Sequence, residues 1–375
     1  MLALAGGTVI PDAQSEAIAR GLVLIEGEEI AYAGSREKAQ IPADAQRIDC
    51  TGLTVVPGFW NSHVHFFERK WAGAGAIPRE EIEEQLADFT RYGFTTVFDL
   101  SSDLQNTREL RNRINSAEIA GPRIFTTGAG LVPPGALPPD VVNRIMGLMP
   151  VDMPMVSAAG SANRAVDSAL AEGADAVKLF ASGNAPDSSM DADVMRCAID
   201  RAHASGKPVF VHTNTQEDVR RALSLGADVI AHTTPRTPWN DATLAQIAAS
   251  DAAITPTLRL WDTFLRHDRI STRNALVAAA AGQLRAWIAC GRDVLFGTDY
   301  GAVDADPSRE YALMADAGMD FRAILHSLTT APAKRFAAQR SGRLMPGYRA
   351  DAVAFENDLA NVRCTVQRGA IAFRA

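Results

Sequence analysis

From residue 58 onward, short apolar runs alternate with longer stretches whose apolar residues recur at helical spacing. The helical stretches include "REEIEEQLADFTRYG", "NRAVDSALAEGAD" and "TQEDVRRALSLGAD", and several of them are followed by glycine, as helix C-caps often are. The eight apolar runs are the one that ends at "HVH" and those at 95–100, 123–128, 176–180, 208–213, 228–233, 253–258 and 294–299. This repeated strand–helix order predicts an α/β fold, a (β/α)8 TIM barrel.

An open, doubly wound sheet is the alternative arrangement for alternating strands and helices. Such sheets that bind dinucleotides carry a G-x-G-x-x-G turn after an early strand. This chain has no such motif at that place. The barrel is therefore the preferred prediction.

The two ends of the chain follow a different pattern, with short β-rich runs and few helical stretches. Residues 1–57 include "GLVLIEGEEIAYAG", in which alternation resumes on both sides of Gly27, as in a hairpin. Residues 341–375 return to strands and are too few to form a domain alone. We therefore predict one small composite β-sandwich from 1–57 and 341–375, with the barrel, 58–340, inserted between its halves.

Composition and charge are those of an ordinary soluble globular protein. Of the 375 residues, 47% are hydrophobic and 22% are charged, with a net charge of −7. The absence of a basic block argues against nucleic-acid binding, and no apolar stretch reaches the roughly 18 residues of a membrane span. The N-terminus lacks the basic region of a secretory signal, and the four cysteines are widely spaced, without C-x-x-C. We expect a cytoplasmic protein with free thiols.

Polar side chains recur where the predicted barrel strands end. "GFWNSHVHF" places two histidines at i and i+2, which share one face of a strand. Alone, the pair is weak, and a single histidine at a strand end is better explained as a hydrogen-bonded core residue. A lysine inside a barrel strand is costly to bury as an ammonium ion. Six such residues at the same end of the barrel are poorly explained by chance: His63, His65, Lys178, His212, His232 and Asp299.

This set, preceded by "TVVPGFWNSHVH", resembles the amidohydrolase superfamily. The resemblance covers the whole chain, since "PAKRF", "GRLMPGYRADAVAF" and "VQRGAIAF" match the closing part of a metal-dependent barrel capped by a β-sandwich. "GADAVKLFASG" and "VFVHTNTQEDVRRALSLGADVIAHT" resemble the binuclear branch that includes prolidase-like dipeptidases and imidazolonepropionase.

The resemblance implies two divalent metal ions and a lysine carboxylated by carbon dioxide. Zn²⁺ suits a ligand set rich in imidazole, with Mn²⁺, Co²⁺ and Fe²⁺ left open. It also implies that a bridging water supplies hydroxide and that Asp299 passes the water proton to the leaving nitrogen. The implied ligands are His63, His65 and Asp299 for the more buried ion, His212 and His232 for the more exposed ion, and the Lys178 carbamate for both.

Two segments are expected at the carboxyl-terminal face of the barrel, where active sites are built. Residues 130–155, rich in Pro and Met, form a lid, a fixed wall or a subunit contact; residues 258–272 are predicted as a loop. Arg259, Trp261 and Arg236 are candidate substrate contacts, because an arginine fork matches a carboxylate.

These features predict an enzyme that hydrolyses an amide C–N bond of a small molecule, such as an N-acyl amino acid, a dipeptide or a cyclic amide. The alternatives are a phosphotriester, carbamate or lactone hydrolase on the same binuclear site, and a catalytically silent metal-binding scaffold. Substrate, native metal and homo-oligomeric state remain open from the sequence.

Overall fold

The computed structural model describes residues 1–136, 147–149, 151–183, 188–264 and 266–375. Strands occupy both ends of the chain, and strands and helices alternate between them. The strands in these ranges are β1 (Leu2–Ala5), β2 (Thr8–Val9), β3 (Gly21–Glu26), β4 (Glu29–Ser35), β5 (Gln46–Asp49), β6 (Thr54–Pro57), β7 (Phe59–Val64), β8 (Phe94–Asp99), β9 (Arg123–Thr126), β10 (Val177–Phe180), β11 (Val209–His212), β12 (Val229–Ala231), β13 (Ala253–Thr255), β14 (Ala352–Phe355), β15 (Val362–Gln367) and β16 (Ala370–Arg374).

Helices follow the barrel strands, and their limits agree with capping signals in the sequence. Asp191 accepts hydrogen bonds from the first backbone N–H groups of α4, and Thr215 and Asp218 form a capping box at α5. The α-helices in the described ranges are α1 (Arg79–Arg91), α2 (Leu104–Asn115), α3 (Ala159–Ala171), α4 (Ala192–Ala204), α5 (Gln216–Ser224), α6 (Asp241–Ala249), α7 (Leu258–Phe264), α8 (Ile270–Ala289), α9 (Ser308–Asp316), α10 (Phe321–Leu328) and α11 (Thr330–Arg335). Residues 258–272, predicted as a loop, thus contain α7 and the start of α8.

Strands from both ends of the chain form the small β-domain. One sheet has the order β4-β3-β1-β5, and the other has the order β16-β15-β14-β6-β2. In the second sheet β14 runs antiparallel to β6, with Val353 opposite Val56, so the two ends of the chain are joined by a ladder. Buried residues from both sheets, including Leu4 and Cys364, belong to one apolar cluster. The domain limits at 57/58 and 340/341 stay a prediction.

Parallel strands from the middle of the chain surround the candidate site. Strands β7, β8 and β9 form one ladder, and β10, β11, β12 and β13 form another. Between the two ladders, the backbone N–H of Asp175 donates to the carbonyl of Thr126 at 2.7 Å, and the N–H of Leu131 donates to the carbonyl of Lys178 at 2.9 Å. These bonds connect the third strand to the fourth.

The eighth apolar run closes the ring without forming a regular strand. The N–H of Leu295 donates to the carbonyl of Ile254 in β13 at 2.8 Å, and the N–H of Asp299 donates to the carbonyl of His63 in β7 at 2.9 Å. Asp299 has a positive φ of 62°, which bends the backbone away from strand geometry. The predicted (β/α)8 barrel is confirmed, and its eighth strand is replaced by an irregular segment.

The barrel interior is apolar directly beneath the candidate site. Ala176 and Phe210 lie two positions before Lys178 and His212, so strand alternation places them on the same inward face. They belong to one buried cluster with Phe98 and Leu295, and Phe336 packs against it. The polar ends of the strands therefore lie above an apolar layer that excludes water.

Candidate active site

The six predicted ligand residues meet at the carboxyl ends of the barrel strands, in one cleft of about 310 Å³. Four belong to or follow different strands: Lys178 lies in β10, His212 ends β11, His232 follows β12 and Asp299 lies in the closing segment. His63 lies near the end of β7, and His65 follows that strand. Each of the six side chains lines the cleft.

The buried Asp299 carboxylate lies at the centre of three histidines. Its Oδ1 is 2.8 Å from Nε2 of His65 and 3.8 Å from Nε2 of His63, and its Oδ2 is 3.7 Å from Nδ1 of His232. His63, His232 and Asp299 each offer a ligand atom within 4.8 Å of the others. The His212 ring extends the group, with its centroid 4.7 Å from that of His232.

Hydrogen bonds on the far side of each imidazole determine which nitrogen faces the cleft. Nδ1 of His65 contacts the carbonyl of Leu100; since a carbonyl only accepts, Nδ1 carries the proton and Nε2 is left as the lone-pair donor. His212 differs, because its Nε2 pairs with Oδ1 of Asn214 at 3.1 Å and leaves Nδ1 free.

Threonine hydroxyls support the two remaining rings. Nδ1 of His63 lies 3.2 Å from Oγ1 of Thr255, and Nδ1 of His232 lies 2.7 Å from Oγ1 of Thr257. Nε2 of His63 is buried and has no hydrogen-bond partner among the described residues. A ring anchored at one nitrogen and unsatisfied at the other has the arrangement of a metal ligand.

Lys178 is another buried group of the cleft that has no hydrogen-bond partner among the described residues. Its side chain is 1% exposed, and its Nζ makes no hydrogen bond to any described residue. Burial lowers the pKa of Lys178 to about 7. A buried amine with no hydrogen-bond partner among the described residues fits a group that is modified or bound to something else.

Electrostatics keep the site in a state suited to cation binding. Burial lowers the pKa of His63 and His232 well below the ordinary value, and burial together with the Lys178 ammonium lowers that of His212 to about 4. Burial would raise the pKa of Asp299, but the surrounding histidines bring it below its ordinary value. Neutral imidazoles and an ionised carboxylate are the protonation states that ligate divalent metals.

Asp99 is a buried carboxylate beside the site that the sequence analysis missed. Its oxygens accept hydrogen bonds from the backbone N–H of Phe66 at 3.1 Å, from the hydroxyls of Thr107 and Thr126 at 3.0 and 2.8 Å, and from Ser102. Phe66 directly follows His65, so Asp99 holds the end of the strand that carries the histidine pair. The sequence did contain a signal for Asp99, because this residue lies near the end of the second apolar run, as the candidate ligands do in their own runs.

The three candidate substrate contacts are placed differently from one another. Trp261 on α7 lines the cleft, and its indole N–H donates to Oγ1 of Thr233 at 2.9 Å. The Arg259 guanidinium instead pairs with the carboxylate of Asp304, and Arg259 is not among the residues that line the cleft. Arg236 is exposed and outside that lining as well. Their roles in substrate binding stay a prediction.

The Pro/Met-rich segment contributes to the cleft where the structure describes it. Leu148 and Met153 line the cleft, and Leu131 pairs with Leu179 of β10. Residues 137–146 and 150 lie outside the described ranges, and the choice between a lid, a fixed wall and a subunit contact stays a prediction. No helix in the described parts of the chain is both long and apolar enough to cross a membrane.

Comparison with known proteins agrees with this geometry. The profile of the amidohydrolase family matches residues 54–371. The chain is 29% identical to imidazolonepropionase of Salinispora tropica over 269 residues, which cover 63% of this chain and 62% of that protein, less than two thirds of its length.

Two solved structures show the same fold at low sequence identity. A Xaa-Pro dipeptidase with bound methionine in its active site has a TM-score of 0.83 and 22% identity, covering 100% of both chains. A prolidase in complex with N-methylphosphonate-L-proline has a TM-score of 0.81 and 23% identity, again covering 100% of both chains. At this identity the likeness establishes the fold.

Proposed function

The chain belongs to the amidohydrolase family, and on that premise we propose that it hydrolyses an amide C–N bond of a small molecule. The observation that carries the proposal is the meeting of four histidines, one carboxylate and one buried lysine in a single cleft. The similarity of the chain to an imidazolonepropionase and to a Xaa-Pro dipeptidase supports the choice of a C–N bond.

We propose that these residues hold two divalent ions, with Zn²⁺ the best match to imidazole ligands. The buried, unpartnered Nε2 of His63 and Nζ of Lys178 support this fit. Lys178 would bind as a carbamate, whose two oxygens replace a buried cation with a ligand for each ion. The proposed ligands are His63, His65 and Asp299 for one ion, His212 and His232 for the other, and Lys178 for both.

Two ions held there would lower the pKa of a bound water and polarise the scissile carbonyl. The protein's own side chains orient the reacting groups and move a proton. Oδ1 of Asp299 faces His65, so Oδ2 is the atom suited to accept a proton from the attacking water. Oδ2 then returns that proton to the leaving nitrogen. Water adds to the carbonyl carbon, the C–N bond breaks, and the products are a carboxylate and an amine.

The test combines metal content with a substrate screen. Protein produced with zinc and bicarbonate should hold two ions per chain by elemental analysis, and chelation should abolish hydrolysis. An amide library should yield paired carboxylate and amine products by mass spectrometry. One ion per chain at saturation would exclude the binuclear site, and turnover confined to phosphotriesters, lactones or carbamates would exclude amide hydrolysis.

A further inference from the structure

The walls of the candidate cleft carry information about the substrate that the metal ligands do not. Resting on the proposed amide hydrolysis, we infer that the group beside the scissile bond is uncharged and aromatic, and that it is not a carboxylate. The inference excludes dipeptides and N-acyl amino acids as preferred substrates, although both match the same ligand set.

Aromatic rings pack against two of the ligand histidines. Phe67 stacks on His65, with centroids 4.5 Å apart and planes 15° from parallel. Phe180 lies against His212, with centroids 4.9 Å apart and planes at 34°. Both phenylalanines line the cleft. A flat ring that enters the cleft can therefore contact apolar ring surface next to the ligand cluster.

The α7 helix supplies the outer wall, which is also apolar. Leu260, Trp261 and Phe264 all line the cleft. The indole N–H of Trp261 is already bound to Thr233, so the indole offers the cleft its carbon surface. Phe264 is 50% exposed at this wall, and a bound apolar group would remove that surface from water.

Fixed positive charge is missing from the part of this wall that the structure describes. Arg259 is held by Asp304 and by the carbonyl of Asp306, away from the lining. The lining residues include one cation, Lys178, which belongs to the ligand cluster and becomes an anion if it carries a carbamate. Away from the two proposed ions, a substrate carboxylate placed against these walls would lose water without gaining a counter-ion from the described side chains, which is costly.

The polar groups of the lining are neutral and suit an uncharged partner. The hydroxyl of Ser101 is buried and has no hydrogen-bond partner among the described residues. Thr213 and Asn214 also line the cleft. Hydroxyl and amide groups can bind a carbonyl oxygen or an amide N–H, whereas a carboxylate is recognised best by an arginine fork.

A matched pair of acetanilides tests the inference. 4′-Methylacetanilide and 4-acetamidobenzoate share the scissile bond and differ in the para group, which is methyl in one and carboxylate in the other. We expect the neutral probe to bind metal-loaded protein at least about tenfold more tightly, in the range that a pocket achieves for one substituent. Calorimetry measures binding, and mass spectrometry of the aniline product measures hydrolysis separately.

Two variants locate the effect in the wall. Phe264→Arg places a cation at a half-exposed position and should shift the preference toward 4-acetamidobenzoate, whereas Phe264→Leu, its neutral control, should not. Arg144 lies in the undescribed part of the 130–155 segment and is replaced by Ala as a second control. We expect Arg144→Ala to leave the preference unchanged.

The outcomes separate this inference from the proposed function. Tighter binding of the neutral probe without hydrolysis would support the inference and count against amide hydrolysis. Equal or tighter binding of the anion, a preference that depends on Arg144, or no binding of the neutral probe at millimolar concentration would each overturn the inference, whatever the hydrolysis result.

Discussion

Nε2 of His65 lies 2.8 Å from Oδ1 of Asp299, although the two residues come from the first and eighth segments of the barrel. The two side chains are proposed ligands of the same ion, and here they contact each other directly. Their separation in sequence makes the contact a measure of barrel closure. A cation bound by both side chains would link the first and eighth segments of the barrel.

The first prediction concerns this pair. His65→Ala and Asp299→Ala should each remove about one of two bound ions, because both groups serve the same ion in the proposed set. The double variant should then lose no further ion by elemental analysis. His203→Ala is the matched control, since its ring pairs with Asp228 at 2.8 Å and is partly exposed. Additive loss in the double variant would place the residues on different ions.

Replacement of Lys178 distinguishes a carbamate from a structural cation. Lys178→Ala should lose both ions and all turnover, and acetate or propionate should partly restore metal binding by filling the vacated space. Lys178→Arg should show no rescue, because a guanidinium stays protonated and does not take up carbon dioxide. Normal metal content in Lys178→Arg would end the carbamate proposal.

Lys70→Ala provides the lysine control for that experiment. Nζ of Lys70 bonds to the hydroxyl of Tyr300 at 2.8 Å and pairs with Glu68, and it does not line the cleft. Its loss should leave the ion count at two. A similar metal loss in Lys70→Ala would mean that the lysine effect is not specific to the ligand cluster.

Asp99 should act on the metal through the backbone that follows His65. Asp99→Asn keeps the shape but replaces one accepting oxygen with an NH₂ group facing donors. We expect metal affinity to fall by about 10- to 100-fold, as for other groups that orient ligands. A metal titration gives the dissociation constant, and thermal unfolding of the metal-free protein gives the structural effect. Thr107→Val is the comparison variant. If metal affinity falls in both variants in proportion to the fall in unfolding temperature, Asp99 has only a structural role.

Arg259 and Asp304 should behave as a pair, because the guanidinium is committed to that carboxylate. Arg259→Ala and Asp304→Ala should lower stability by a similar small amount, about 1 kcal/mol or less for a partly exposed pair. Neither should alter the ratio of KM values for 4-acetamidobenzoate and 4′-methylacetanilide. A KM increase for the anion in Arg259→Ala, but not in Asp304→Ala, would restore Arg259 as a carboxylate clamp.

Glu310 makes the stability of the protein depend on pH near neutrality. Its fully buried carboxylate accepts the backbone N–H groups of Leu258 and Arg259 at 2.9 and 2.7 Å, where α7 begins. Burial raises the pKa of Glu310 to about 7, against the lowering effect of these bonds and of Arg259. The folded state therefore binds this proton more tightly than the unfolded state, so this contribution is present at low pH and is lost as pH rises from about 4.5 through 7.

Glu310→Gln removes that titration. The free energy of unfolding of the wild type, relative to Glu310→Gln, should fall by on the order of 3 kcal/mol between pH 4.5 and 8. Any constant penalty for replacing an accepting oxygen with an amide cancels in this difference. Glu356, which is only partly buried, serves as the control when it is replaced by Gln. A difference that does not change with pH would show that Glu310 does not titrate in this interval.

The hydrophobic pattern was sufficient to predict the barrel and the approximate position of the six ligand candidates. A buried parallel strand is a short apolar run, and its carboxyl end is where polar side chains gather. His212 and Asp299 were therefore placed at the correct edge from periodicity alone. The composite β-domain was predictable as well, because the short C-terminal strands are too few to form a domain alone and therefore need the N-terminal strands as partners.

The tertiary structure decided what no local pattern encodes. Which nitrogen of His65 or His212 faces the cleft depends on a carbonyl and an amide that fold against the other side of each ring. The identity of Arg259's partner depends on Asp304, 45 positions further along the chain, reaching the same corner of the barrel. Asp99 resembles a ligand in sequence, yet hydroxyls from three neighbouring segments surround it.

The character of the cleft is likewise a property of the fold. Phe67, Phe180 and Phe264 lie in three different segments, and each alone is an ordinary apolar residue. They line the same cleft because the barrel brings the carboxyl ends of its strands to a single face. Sequence spacing therefore determines the chemistry at the strand ends, whereas loop packing determines which molecule can reach it.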